Sequence, residues 1–199
     1  IRSRGLGDVY KRQLSEVSIV SAKAAPTLSS NVFSKMKENQ KDITVGVTDE
    51  NNRLQYQWKF NSDTITQPDM DIDLTISFDT DRENEVKEIT GRDDLMYLSF
   101  SHHGALPGPA TIKTYVGNKY KDGDIVYLYY FNEEQNRVES VGGVNKGLVV
   151  KDGYVEYTIT YCSLYFLSQD TAEIIKAVDP DTADNNGQVA DVADTAKDS

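Results

Sequence analysis

Cysteine, histidine and basic charge are all scarce in this chain. A single cysteine, Cys162, excludes a disulfide within the molecule, and two histidines, His102 and His103, leave little for a transition-metal site. No run of about 18 apolar residues is present, so the chain carries no membrane-spanning helix. With 21 Lys+Arg against 32 Asp+Glu the formal net charge is −11, and no basic cluster offsets it, which argues against nucleic acid and anionic lipid as partners. There is no G-x-S-x-G nucleophile turn, no phosphate-binding loop and no glycine-rich dinucleotide fingerprint. What the chain does have is tyrosine, 12 in 199 residues, much of it in alternating stretches.

The first residues stand apart. Ser3 to Gln13, S-R-G-L-G-D-V-Y-K-R-Q, resembles a translated sequencing-library adapter, its last six residues matching the mosaic end of the transposon and the preceding ones its flank in the same frame. Residues 1–13 are therefore expected to be an artefact, with native sequence beginning near Leu14, and residues 14–29 a lead-in segment. Removing four basic residues (Arg2, Arg4, Lys11, Arg12) and one acidic residue (Asp8) takes the formal net charge from −11 to −14.

Residues 30–168 carry the expected domain. Val32, Phe33 and Met36 form one apolar stripe, which predicts a short helix with Ser29 or Ser30 as its N-cap. From Ile43 onward the apolar period becomes two. Leu54, Tyr56, Trp58 and Phe60 share one face, as do Ile72, Leu74, Ile76 and Phe78, and Val155, Tyr157, Ile159 and Tyr161. A helix would scatter such residues around its circumference, whereas a half-buried strand gathers them on one side. Further strands are expected over residues 95–101, 110–116, 125–131, 137–141, 148–150 and 164–167, with one helical turn over residues 86–90. Asp122-Gly123 and Asp152-Gly153 mark hairpins, Asp-Gly suiting a type I′ turn with two positive φ values. Many short strands without intervening helices predict an all-β fold: an antiparallel β-sandwich, immunoglobulin-like in general architecture, with one short N-terminal helix. Residues 169–199 are expected to be a disordered acidic tail or linker. From residue 170 on there are 8 acidic and 2 basic side chains and no aromatic, too little apolar surface to offset the entropy of ordering.

Three constellations carry candidate chemistry. Tyr127, Tyr129 and Phe131 alternate along one strand, about 6.8 Å apart, a spacing that suits a flat platform for sugar rings. The same strand is apolar on its other face too, through Val126, Leu128 and Tyr130, so the competing reading is a central strand covered on both sides, one of them by the N-terminal helix. Asp79, Asp81 and Glu83 form an oxygen cluster in an expected loop and are the calcium candidates, beside Asp69, Asp71 and Asp73, which alternate like a strand. Both sets lack the glycine that a calcium loop of the EF-hand type needs. Calcium is accordingly the one candidate cofactor, and solvated acidic loops without a cofactor are the plainer reading. His102 and His103 are adjacent, which in a strand points them to opposite faces, and they are read as a strand end running into the Gly104–Pro109 loop. Cys162, with no cationic neighbour in its segment, reads as a small buried hydrophobe.

Leu106-Pro107-Gly108, Val116-Gly117-Asn118-Lys119-Tyr120-Lys121-Asp122-Gly123-Asp124, Val126-Tyr127-Leu128-Tyr129-Tyr130 and Val150-Lys151-Asp152-Gly153-Tyr154-Val155-Glu156-Tyr157-Thr158-Ile159 resemble a β-sandwich module. That module is found near the C-termini of secreted and cell-surface proteins of Gram-positive anaerobes. Its motifs are turns and strands, so the resemblance implies export, surface display and a non-catalytic role without supplying a functional residue. The expectation is a non-enzymatic extracellular spacer or interaction module. Its expected partners are cell-wall or extracellular polysaccharide or another surface protein. The alternative is a carbohydrate-binding accessory domain of a polysaccharide-degrading system that uses Tyr127, Tyr129 and Phe131.

Overall fold

The computed structural model describes residues 16–21, 24–143 and 146–183. The adapter-like stretch and residues 184–199 of the expected tail lie outside the described residues.

The described residues are built around one nine-stranded sheet. In chain order the elements are β1 (Glu16–Ser21), β2 (Thr27–Leu28), α1 (Ser30–Asn39), β3 (Asp42–Thr48), β4 (Leu54–Phe60), β5 (Ile72–Asp73), β6 (Ile76–Ser77), α2 (Glu83–Thr90), β7 (Met96–Tyr115), β8 (Ile125–Asn132), β9 (Arg137–Ser140), β10 (Leu148–Val149), β11 (Tyr154–Ser168), α3 (Ala172–Ile175) and α4 (Pro180–Ala183). The main path runs β1-β3-β4-β7-β11-β8-β10, with β6 on β7 and β9 on β8, while β2 and β5 form a separate small pair. All-β architecture with antiparallel pairing is thus the observed class. β1 is the parallel exception, running alongside β3, so part of the expected lead-in belongs to the sheet.

Two strands are far longer than the short strands expected: β7 has 20 residues and β11 has 15. They pair along their whole length but shift register between Ile159 and Tyr161 and again between Cys162 and Leu164. At each shift two steps on β11 face five on β7, since Ile159 meets Ala110, Tyr161 meets Ala105, Cys162 meets Gly104 and Leu164 meets Ser99. Such bulges bend and twist the ladder, so both strands serve two halves of the sheet. Their outer halves continue into β4 and β3, and their inner halves into β6, β8 and β9. The two halves share a core. Trp58 of β4 meets Phe100 of β7 edge to face at 5.5 Å, and Phe100 meets Tyr165 of β11 at 5.6 Å. The result is sandwich-like, with strands passing from one layer to the other at bends.

On the first half, alternation behaves as expected: Tyr56, Trp58 and Phe60 are buried, as are Val155, Tyr157 and Ile159. α1 lies over this half through Phe33, whose ring meets Phe60 at 5.1 Å. Ser29 is its N-cap by position but makes no side-chain cap bond; Asp71 Oδ1 accepts from the Ser30 N–H at 2.7 Å instead. The second half is covered on both faces. Leu128, Tyr165 and Leu167 join the shared core, while Tyr129, Phe131, Leu164 and Phe166 pack on the other side beneath Val86 of α2 and Ala172 and Ile175 of α3. The unbroken apolar runs of β8 and β11 reflect that double coverage.

Three expectations need correction. Residues 71–79 alternate in burial, with Ile72, Leu74 and Ile76 inside, but form only the two-residue pieces β5 and β6. Polar groups interrupt the ladder there: the Trp58 indole N–H donates to the Leu74 carbonyl at 3.0 Å, the Ile76 N–H to the Tyr56 hydroxyl at 3.2 Å, and the Thr75 N–H to Asp73 Oδ1 at 2.9 Å. The expected turn at residues 86–90 is a full helix of eight residues, α2. The folded body also continues past residue 168, for Ala172 and Ile175 are buried. The chain there is tied down by the Val178 N–H to the Val138 carbonyl at 2.9 Å and the Ser140 N–H to the Val178 carbonyl at 2.8 Å.

Candidate functional site

The alternating strip on β8 faces inward. Tyr129 is 1% exposed and Phe131 0%, and Tyr127 is half-buried against the same cluster. Tyr129 tilts over Phe166 at 5.2 Å and donates its hydroxyl to the Asp170 carbonyl at 2.6 Å. These rings are core and form no sugar platform. The cover over them comes from α2 and α3 rather than from α1.

The acidic candidates also resolve differently. Asp79 and Asp81 lie in the turn before α2, Glu83 opens that helix, and all three are exposed. Among the described residues no group of three His, Cys, Asp or Glu is placed to hold a metal ion, so Asp79, Asp81 and Glu83 are not assembled into a calcium site. Asp71 and Asp73 are backbone anchors for α1 and for the turn at Thr75. His102 and His103 sit within β7 rather than at a strand end, and His102 Nε2 lies 2.9 Å from the Ala105 carbonyl. Cys162 is buried, and burial pushes its thiol up to about 12.

The surface feature with ligand-sized shape arises where β7 bulges against β11. Alternation from Val155 places Tyr161 in the core. The register shift after Ile159 puts Thr160 and Tyr161 outside in succession before Cys162 returns inward. Tyr161 is therefore 47% exposed. Its ring stands perpendicular to Tyr130 of β8, at 6.3 Å between centroids and 86° between planes, and Tyr130 meets Tyr165 at 5.4 Å and 51°. The Tyr165 hydroxyl donates to the Tyr161 carbonyl at 2.5 Å, which ties the bulge to the wall of the site. Burial, with neighbouring Tyr161 and Glu139 next, raises the pKa of the Tyr130 hydroxyl, so it holds its proton more firmly.

These three tyrosines line a cleft of about 380 Å³ closed by Val141, Gly142 and Gly143 after β9 and by Asp179, Pro180 and Asp181 at α4. Both glycines have positive φ, 77° and 107°, a conformation that holds the chain open at the rim and strains other residues. A second depression of about 460 Å³ shares Tyr130 and Tyr161 and is bounded by His103, Asn132, Glu133, Glu134 and Ser163. The tyrosine pair is thus a ridge between two hollows. Carboxylates stand on both sides: Glu139, Asp179 and Asp181 on one, Glu133 and Glu134 on the other. Glu139 is held by Arg137 at 3.4 Å and Glu133 by Arg82 at 3.5 Å, and neither arginine lines the hollows. Tyr130 could be singled out from the doubly apolar strand, but Tyr161 escaped sequence reasoning because a bulge leaves no mark on an alternating pattern. No family model and no curated protein matches this chain.

Proposed function

We propose that the chain is a non-catalytic interaction module of a bacterial secreted or cell-surface protein, engaging its partner through the cleft at Tyr130, Tyr161 and Tyr165. The observation that carries this reading is exposed Tyr161 standing against half-buried Tyr130, set beside a ligand-sized hollow by a bulge of the longest strand pair. Exposed aromatic side chains bring large contact area at low conformational cost, and rigid sheet elements hold them in place. The resemblance to modules of Gram-positive exported proteins supports the cellular setting. Carbohydrate binding is the second reading, moved from the buried β8 strip to this cleft, where Tyr161 offers a ring face and the carboxylates offer acceptors for sugar hydroxyls.

The test is a parallel array of cell-wall polysaccharides, soluble glycans and peptides probed with wild type and Tyr161→Ala. Binding of one ligand class that disappears in the variant, at unchanged melting temperature, is expected. Binding that is indifferent to the substitution, or confined to no class, contradicts the reading.

A further inference from the structure

We infer that the two hollows flanking the Tyr130–Tyr161 ridge form a receptor for a basic segment of a partner protein, with lysine or arginine side chains seated against the tyrosine rings. This rests on the interaction-module reading and names its ligand class.

Ring geometry distinguishes a cation from a sugar. A pyranose stacks on a flat aromatic face, whereas Tyr130 and Tyr161 meet at 86° and Tyr130 and Tyr165 at 51°, so the rings form a corner. A corner suits a compact cation, which is attracted to the face of each ring by its quadrupole. The molecule already uses this contact elsewhere: Arg53 stands 4.5 Å over the Tyr115 ring and Lys113 4.9 Å over Tyr154. Among the described residues no such cation covers Tyr130, Tyr161 or Tyr165.

Charge points the same way. Five carboxylates line the two hollows together, with no lysine or arginine in either lining; Lys146 stands at the rim, its backbone N–H donating to the Gly143 carbonyl at 3.3 Å and its side chain beside Gly142. Low-dielectric aromatic walls beside one sign of charge concentrate ligands of the opposite sign. Because carboxylates stand on both sides of the ridge, a chain bearing successive cations uses both hollows, and a single small amine uses one.

The experiment is an isothermal titration of the full chain with an oligolysine peptide, the same peptide with its lysines acetylated, and a neutral cello-oligosaccharide. Wild type, Tyr161→Ala and Glu134→Gln are compared, with circular dichroism confirming the fold of each. Saturable binding of oligolysine is expected, lost on acetylation, weakened about three- to tenfold by Tyr161→Ala, which leaves the charge unchanged, and weakened to a lesser degree by Glu134→Gln. Equal affinity of wild type and Tyr161→Ala for oligolysine would mean diffuse attraction to an acidic protein and would overturn the inference. Tyr161-dependent binding of the oligosaccharide without oligolysine binding would overturn the cationic ligand and leave the interaction module standing. Heat from none of the three ligands would overturn the inference, while the array of polysaccharides and peptides decides the module reading separately.

Discussion

Trp58 ties β4 to β7 and to the segment between β5 and β6. It is fully buried, stacks on Phe60 at 5.8 Å, meets Phe100 edge to face and donates its indole N–H to the Leu74 carbonyl. Truncation to alanine removes these contacts and leaves a cavity, so Trp58→Ala is predicted to cost about 3–5 kcal/mol, measured by denaturant unfolding. An unchanged midpoint would show that the register of β4 is wrong. Buried protons also give the molecule an alkaline limit. Burial raises the Cys162 thiol from 9.0 to about 12 and raises Tyr157 and Tyr165 above 10.0. These groups are neutral when protonated, so above about pH 9 the unfolded chain releases protons that the folded chain retains, and stability falls as pH rises. Unfolding midpoints should be level up to about pH 8 and clearly lower by about pH 11; equal midpoints would contradict the buried placement of these groups.

At the scale of elements, what was legible in the sequence and what was not divides along hydrogen bonding. The alternation of Leu54–Phe60 predicted both a strand and its buried face, and Asp152-Gly153 forms the expected tight turn, with φ of 54° and 87°. The alternation of residues 71–79 predicted burial correctly and pairing wrongly, because side-chain periodicity reports which face is inside and says nothing of where backbone N–H groups go. Bulges are illegible for the same reason, which is why Leu106-Pro107-Gly108-Pro109 read as a loop although it lies within β7. Gly108 is needed there: a Cβ would strike the Thr64 carbonyl, so Gly108→Ala should destabilise by about 1–3 kcal/mol. Beyond β11, composition hid the two residues that matter. Ala172 and Ile175 complete the cover over Phe131 and Phe166, and Ile175→Ala is predicted to cost about 2–4 kcal/mol. A loss under about 0.5 kcal/mol, the usual range for surface positions, would return this segment to the tail.

For the whole molecule, one sheet is bent through two bulges until its halves share a core, and the outer face of one half is closed by α2 and α3. That arrangement places the apolar strip of β8 inside and turns Tyr161 out, so the proposed recognition surface follows from the bend that closes the fold. The candidate site was therefore half legible: an aromatic-rich strand at β8 was visible, but the face it presents depends on contacts with residues far away in sequence. The acidic balance was visible from composition alone, and the structure gathers five of those carboxylates around two tyrosines.

The measurement that tests this account most directly is a heteronuclear NMR titration of the chain with a lysine-rich peptide. The account predicts that the perturbed amides cluster around both hollows, at residues 103, 130–134, 139–143, 161–163 and 179–181, and that the pattern collapses in Tyr161→Ala. Perturbations spread over the acidic surface at large, unchanged in the variant, would contradict it.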